Sequence, residues 1–128
     1  METARLELPA TPAAAGVARL FVRCLCEEWG VEGVADVAEL LSSELVTNAV
    51  VHAHTAVELC AARDDDGGLR VDVFDRAVGG NVAPRRRSAD PSAEGGRGLA
   101  IVASLASSWG VDEAGKGKSV WFTLSTVP

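Results

Sequence analysis

Glu44 and Asn48 lie four residues apart in the run SELVTNAVVHA, Ser43 to Ala53, whose Leu, Val and Ala otherwise read as the interior of an amphipathic helix. At helical pitch the two side chains fall within about 40° of each other. A buried charge without a partner is costly. The pattern therefore predicts a helix face bordering a polar cavity, or an edge where both side chains reach water.

Two later stretches have the same character. RVDVFDRAVGG ends a strand at Asp75 and opens straight into a turn holding Gly79 and Gly80. A carboxylate at a strand end can accept a hydrogen bond from an exocyclic amine, and adjacent glycines let a flat ring approach the backbone. EGGRGLAIV sets Gly95, Gly96 and Gly98 at the start of a helix. Free backbone N–H groups and the helix dipole make such a start an anion site. Singly, each stretch is equally a plain turn or a glycine hinge.

The elements that must position these residues follow from periodicity. Residues 4–9 read as a short strand with Leu6 and Leu8 on one side. Thr11 and Pro12 predict a helix start, the hydroxyl capping and the proline in the first helical position. That helix runs to about Trp29 with Val17, Leu20, Phe21, Cys24 and Leu25 inward, and Gly30 stops it. A second helix covers about 33–53, with Val34, Val37, Leu41 and Leu45 as its core stripe. Strands at 56–62 and 69–75 flank the turn RDDDGG. Residues 76–95 form a long loop, the kind that is usually a lid or a mobile segment. A third helix opens at Gly98 and runs to about Ser108, with Leu99, Val102, Leu105, Ala106 and Trp109 inward and Gly110 as the stop. A terminal hairpin, WGVDEA to SVWFTLS, completes the order β-α-α-β-β-loop-α-β-β. This predicts one domain over residues 1–128, an α+β two-layer sandwich with a mixed, mostly antiparallel sheet and about three helices on one face.

Composition narrows the function classes. A formal charge of −6 and the absence of Tyr argue against a nucleic-acid surface, which needs a cationic face or stacking aromatics. No apolar run approaches the roughly 20 residues of a membrane span. The start METARLELPA lacks a signal-peptide pattern, and reduced thiols are expected for Cys24, Cys26 and Cys60, so the chain reads as cytoplasmic. His52 and His54, at the end of the second helix, read as surface or capping residues rather than zinc ligands. Lys116 and Lys118 read as a solvated hairpin tip.

An acid–amide helix face, an acidic strand end and a glycine-capped helix, in this order, resemble the GHKL-type (Bergerat fold) ATP-binding domain. That domain is shared by histidine kinases, gyrase-type ATPases and bacterial anti-sigma-factor serine kinases. The likeness covers nearly the whole chain, and SELVTNAVVHA with GGRGLAIV looks most like the short anti-sigma-kinase-like proteins of actinobacteria.

The resemblance implies ATP and Mg²⁺ as cofactors. Asn48 would be the Mg²⁺ ligand, Glu44 the general base, and Asp75 the partner of the adenine amino group. Gly79 would belong to the motif after Asp75. Gly96, Arg97, Gly98 and Leu99 would hold the phosphates, Ser119 would stand on the late Gly-Thr-like element from Gly117, and residues 80–95 would form the lid. It also implies an anti-anti-sigma (STAS-type) protein as phosphate acceptor, a sigma factor as a further partner, and homodimerisation. Two features depart from the pattern. Ala77 stands where the motif after Asp75 has its first glycine, and the lid carries Arg85, Arg86 and Arg87, which could reach phosphate or an acidic partner or be a solvated basic run. Two other readings stay open: a nucleotide module that acts by sequestering a partner, and a stand-alone ATPase or histidine-kinase-like catalytic domain.

Overall fold

The computed structural model describes residues 2–53, 56–76, 96–113 and 117–126. Strand β1 (Glu2–Leu8) is followed by helix α1 (Ala14–Glu28), a 3-10 turn (Glu32–Val34) and helix α2 (Ala35–Ala53). The β2–β3 hairpin (Val57–Arg63, Leu69–Asp75) comes next, then α3 (Gly96–Leu105) and the β4–β5 hairpin (Ser108–Glu113, Lys118–Leu124). The five strands form one sheet in the order β1-β2-β3-β5-β4. An α+β two-layer sandwich results. Where a mixed sheet was expected, all four pairings are antiparallel. Each paired couple has either nothing or two elements between its strands, and an odd number of chain reversals yields an antiparallel neighbour.

Strict alternation decides the core. Leu69, Val71, Val73 and Asp75 of β3 are buried on the inner face, while Arg70, Asp72 and Phe74 face outward and are only half-buried. Val57, Leu59 and Ala61 of β2 and Phe122 and Leu124 of β5 join the inner face, packed with Ala18, Val22, Leu41, Leu45, Val46 and Val102 of the helices.

Local signals explain most boundaries. Gly30 adopts φ 72°, and the bonds Val31 N–H to Cys26 O (2.9 Å) and Gly30 N–H to Glu27 O (3.3 Å) close α1 in a Schellman motif. In the β2–β3 turn Gly67 takes φ 90°, and Asp64 accepts from the Gly68 N–H through its side chain (2.9 Å).

Three expectations are corrected. Thr11 does not cap α1. The capping position is Ala13, without a side-chain bond, because Thr11–Ala13 form a turn first and the Thr11 carbonyl accepts from Ala14 N–H (3.0 Å). The inward stripe of α1 is Ala14, Ala18, Val22, Leu25 and Cys26, leaving Val17 and Leu20 exposed at 47% and 65% and Cys24 exposed too. Small residues at positions 14 and 18 let α1 approach its neighbours closely, and this rotates the longer side chains outward. Finally, α3 ends at Leu105 because Ser107 N–H bonds Thr123 O (2.8 Å), diverting the chain into β4. Leu105 is left 46% exposed, Trp109 packs on the core from β4 opposite Phe122, and Gly110 lies within β4 instead of ending the helix.

The corrected stripe separates two leucines of similar sequence context. Leu41→Ala should cost about 2–5 kcal/mol, and Leu20→Ala about 0.5 kcal/mol or less, read from urea denaturation midpoints. Burial also pushes the Cys26 thiol up to about 11. A thiol reagent at pH 8 should therefore modify exposed Cys24 first and leave Cys26 unreacted until the chain unfolds.

Candidate functional site

Helix α2 is buried along most of its circumference, with Ala35, Ala38, Leu41, Ser42, Ser43, Leu45, Val46 and Ala49 enclosed. Asp36, Leu40, Thr47 and Val51 are exposed. Glu44 and Asn48 occupy the lane between these two arcs and are half-buried. This explains a carboxylate and a carboxamide in an apolar helix. They lie where the packed face gives way to an opening, not in the core itself.

Helix α3 meets α2 at that lane. A Cβ added to Gly98 would stand 2.9 Å from Oε1 of Glu44 and 3.7 Å from its Cβ. Gly98 is thus the residue that lets the first turn of α3 close on the Glu44 carboxylate. The helix starts at Gly96, two residues earlier than its sequence suggests, so Gly98 lies inside its first turn. Backbone N–H groups of such a turn have no partner within the helix, and the dipole adds positive potential there. The Glu44 carboxylate therefore lies against the first turn of α3, the end of the helix that carries the N–H groups without helical partners.

Asp75, at the end of β3, is 3% exposed, the one buried charged side chain among the described residues. It lies in a row that crosses the whole sheet, Leu8–Val57–Asp75–Lys118–Glu113. Helix α2 delivers the chain to this end of the sheet, since Ala53 and Val57 are only four peptide steps apart, at most about 14 Å. Helix α3 also begins after the chain leaves β3 at this end. Glu44, Gly98 and Asp75 therefore belong to the inner, helix-covered side, with Asn48 one turn beyond Glu44.

Gly117 clamps the row. A Cβ there would fall 2.2 Å from the Asp75 carbonyl oxygen and 2.9 Å from Cα of Arg76. Only glycine admits β5 so close to the exit of β3. Next in β5, Lys118 pairs directly with Asp75, and Val120, Phe122 and Leu124 continue the inner face. Ser119 is not brought to this side. It pairs with Phe74 on the outer face and donates to Asp72 Oδ2 (3.0 Å), the carboxylate that also holds Arg70 by two bonds (2.8 and 3.1 Å). The late hydroxyl drew attention by its chemistry, but the period-2 pattern of Val120, Phe122 and Leu124 already put Lys118 inward and Ser119 outward.

The remaining expectations divide by position. The side chain of Arg97, together with Gly79, Ala77, His54, Lys116, the loop 80–95 and Arg85 to Arg87, lies outside the described residues. Leu99 is half-buried against the core, and His52 is exposed in the last turn of α2. No group of three or more His, Cys, Asp or Glu able to hold a metal occurs among the described residues, and no described helix is long and apolar enough to cross a membrane. The donors at hand near α3 are the oxygens of Glu44 and Asn48. These suit a hard cation such as Mg²⁺, which keeps waters and takes further oxygens from phosphate. A buried carboxylate for an amine, glycine cradles and a free N–H turn likewise suit an adenine nucleotide.

The fold has counterparts among known proteins. The family described as histidine kinase-like ATPase domain matches residues 8–124. A crystal structure of the RsbU and RsbW domains of Rv1364c from Mycobacterium tuberculosis superposes with a TM-score of 0.71 at 25% identity, over 97% of this chain and 32% of that one. The histidine kinase domain of the blue-light activated histidine kinase EL346 from Erythrobacter litoralis gives a TM-score of 0.55 at 22% identity, over 92% of this chain and 61% of that chain. This chain thus spans about a third of the first protein and less than two-thirds of the second. No curated protein sequence matches it.

The two glycine cradles should respond differently to a methyl group. At Gly98 the obstacle includes the movable tip of Glu44, so Gly98→Ala should leave the melting temperature within about 3 °C of the parent, because alanine also favours the helix. It should displace the carboxylate and lower any activity that uses it. At Gly117 the obstacle is backbone, and Gly117→Ala should destabilise by about 1–3 kcal/mol. Paired thermal melts and nucleotide titrations of the two variants check both statements.

Proposed function

The chain belongs to the histidine kinase-like ATPase domain family, and from that premise we propose that it is an ATP-dependent regulatory kinase of the anti-sigma-factor type. Its reaction would move the γ-phosphoryl group of Mg-ATP to a serine or threonine of an anti-anti-sigma antagonist. The observation that carries the reading is the approach of Gly98 to Glu44, which puts a carboxylate against the N–H turn of α3. Likeness to a chain holding an RsbW domain supports the kinase class.

The roles follow from the chemistry of each group. Asp75 would accept from the amino group of adenine. The N–H groups opening α3, at Gly96, Arg97, Gly98 and Leu99, would hold phosphate oxygens. Bound Mg²⁺ neutralises charge developing on the phosphates, and Asn48 would supply one oxygen to it. Glu44 would take the proton of the acceptor hydroxyl as that oxygen bonds the terminal phosphorus and the bond to ADP breaks. The acceptor would be a STAS-type protein, with a sigma factor as a second partner held in alternation and a homodimer as the assembly.

One feature favours a second reading. Ala77 replaces a glycine of the motif after Asp75, and alanine lacks the backbone freedom that glycine brings to such a motif. Weaker nucleotide binding would suit a module that sequesters its partner without transfer. Labelled ATP, Mg²⁺ and a candidate antagonist separate the readings. Label on the antagonist supports the kinase, tight binding without transfer supports the module, and release of free phosphate alone supports a stand-alone ATPase.

Asn48→Ala should weaken Mg-ATP binding by at least about 10-fold, the loss of one charge-assisted contact. Glu44→Ala should keep binding and reduce transfer by about 10²- to 10⁴-fold. Normal Mg-ATP binding by Asn48→Ala would show the ligand assignment to be wrong.

A further inference from the structure

The described part of the inner sheet face contains one lysine, in a polar row at the end of an otherwise apolar face. Lys118 is half-buried, directly opposite Asp75 on β3 and Glu113 on β4. The ladder continues below it with Val73–Val120, Val71–Phe122 and Leu69–Leu124, all apolar pairs. Opposed residues of an antiparallel pair carry their side chains on one face, with Cβ atoms about 5 Å apart. Gly117 fixes this register, since β5 touches the Asp75 carbonyl just before Lys118. The backbone of Lys118 is therefore held at the Asp75 end of the row. A lysine ammonium has three donors to offer, and this row places the residue that carries it beside Asp75.

We propose that Lys118 is a specificity-determining residue of the nucleotide site, donating to ring nitrogen N1 of adenine while Asp75 accepts from its 6-amino group. This rests on the ATP-binding reading and sharpens it. Adenine presents an amino donor next to a bare ring nitrogen. Guanine and hypoxanthine present a carbonyl acceptor next to a ring N–H. A carboxylate beside an ammonium complements adenine at both atoms and opposes the other two at both. Sites that pair a polar edge in this way reject the wrong analogue strongly, because its groups leave buried partners unmatched. The assignment also places the cation at the base end. Lys118 shares a row with Asp75, whereas the N–H groups for phosphate open α3 beside Glu44.

The test is a calorimetric titration of ATP and of 1-deaza-ATP, in which N1 is replaced by C–H, against the parent protein and Lys118→Met. The parent should bind 1-deaza-ATP about 10- to 100-fold more weakly than ATP, the range for losing one charge-assisted hydrogen bond. Lys118→Met should bind ATP more weakly by a similar factor and no longer distinguish the two nucleotides. Its preference for ATP over inosine triphosphate should shrink as well. Equal binding of ATP and 1-deaza-ATP by the parent would overturn the proposal, and that comparison needs no variant to fold. So would an equal loss of both nucleotides in Lys118→Met, which would make the lysine a general attractor of phosphate. If the parent binds ATP, Asp75→Asn loses it and Lys118→Met does not, this inference falls and the ATP reading stands. If the parent binds no adenine nucleotide, both fall.

Discussion

Helix α2 touches α1, α3 and strands β2, β3 and β5, and that enclosure shapes everything around it. A helix so surrounded has to be apolar almost all round, and its sequence is, apart from the exposed arc at Asp36, Leu40, Thr47 and Val51. The boundary lane is the one place where a polar residue can meet both a packed neighbour and an opening. Glu44 and Asn48 stand there. Because α2 is wedged, its backbone is held in place, and α3 closes on the Glu44 side chain through a residue that has none of its own. Gly98 is that residue. The chemistry proposed for the site thus depends on a packing condition set by Leu41, Leu45, Val46 and their partners.

The open face of the sheet solves a different problem. A two-layer sandwich leaves one side of its sheet without a covering layer. Here Trp121 lies across Gly110, whose absent Cβ would come within 2.8 Å of the indole, and the Arg70 guanidinium sits 4.3 Å from the indole ring centre. Asp72 holds Arg70 from beside it and takes the Ser119 hydroxyl as well. An aromatic ring over a strand glycine restores the packing that glycine forfeits, and the ion pair keeps the guanidinium flat on the ring. Ser119 is thereby committed to the outer face. The inner position it would need belongs to Lys118.

What the sequence disclosed, and what it hid, follow from this layering. Strand β3 was legible to the residue because Leu69, Val71 and Val73 alternate cleanly with Arg70, Asp72 and Phe74. Gly30 and the RDDDGG turn were legible because positive φ leaves few alternatives to glycine. The stripe of α1 was not. Val17 and Leu20 share helical spacing with Phe21 and Cys24, and hydrophobicity alone cannot say which of two apolar stripes faces inward. The small Ala14 and Ala18 decide that, through how near α1 can come to its neighbours, and closeness is a property of two elements at once. Gly110 was misread for a similar reason. A glycine after a helix-like run suggests a stop, but this one exists for a tryptophan eleven positions later in the sequence. The candidate residues Glu44, Asn48, Asp75 and Gly98 stand out in the sequence because each breaks a local rule, while Lys118 follows a common one for hairpin tips.

Charge supplies the last constraint. A chain of formal charge −6 that binds a polyanion must offset repulsion locally, since at physiological salt fields decay over about 8 Å. Most of the described arginines are committed elsewhere. Arg70 is spent on Asp72, Arg23 on Asp36 and Glu39, Arg63 on Glu2, and Arg76 leans over Phe74 on the outer face. What the described inner side offers is the N–H turn of α3 and the ammonium of Lys118. The first carries only partial charge, acts at short range and needs a close approach, which the glycines allow. The second belongs to a residue paired with Asp75, and the proposal assigns it to the base. On this account the site discriminates by fit and hydrogen bonding at the base, and tolerates phosphate by backbone dipoles and an accompanying cation. An acidic protein can hold a nucleotide in this way without becoming attractive to nucleic acid.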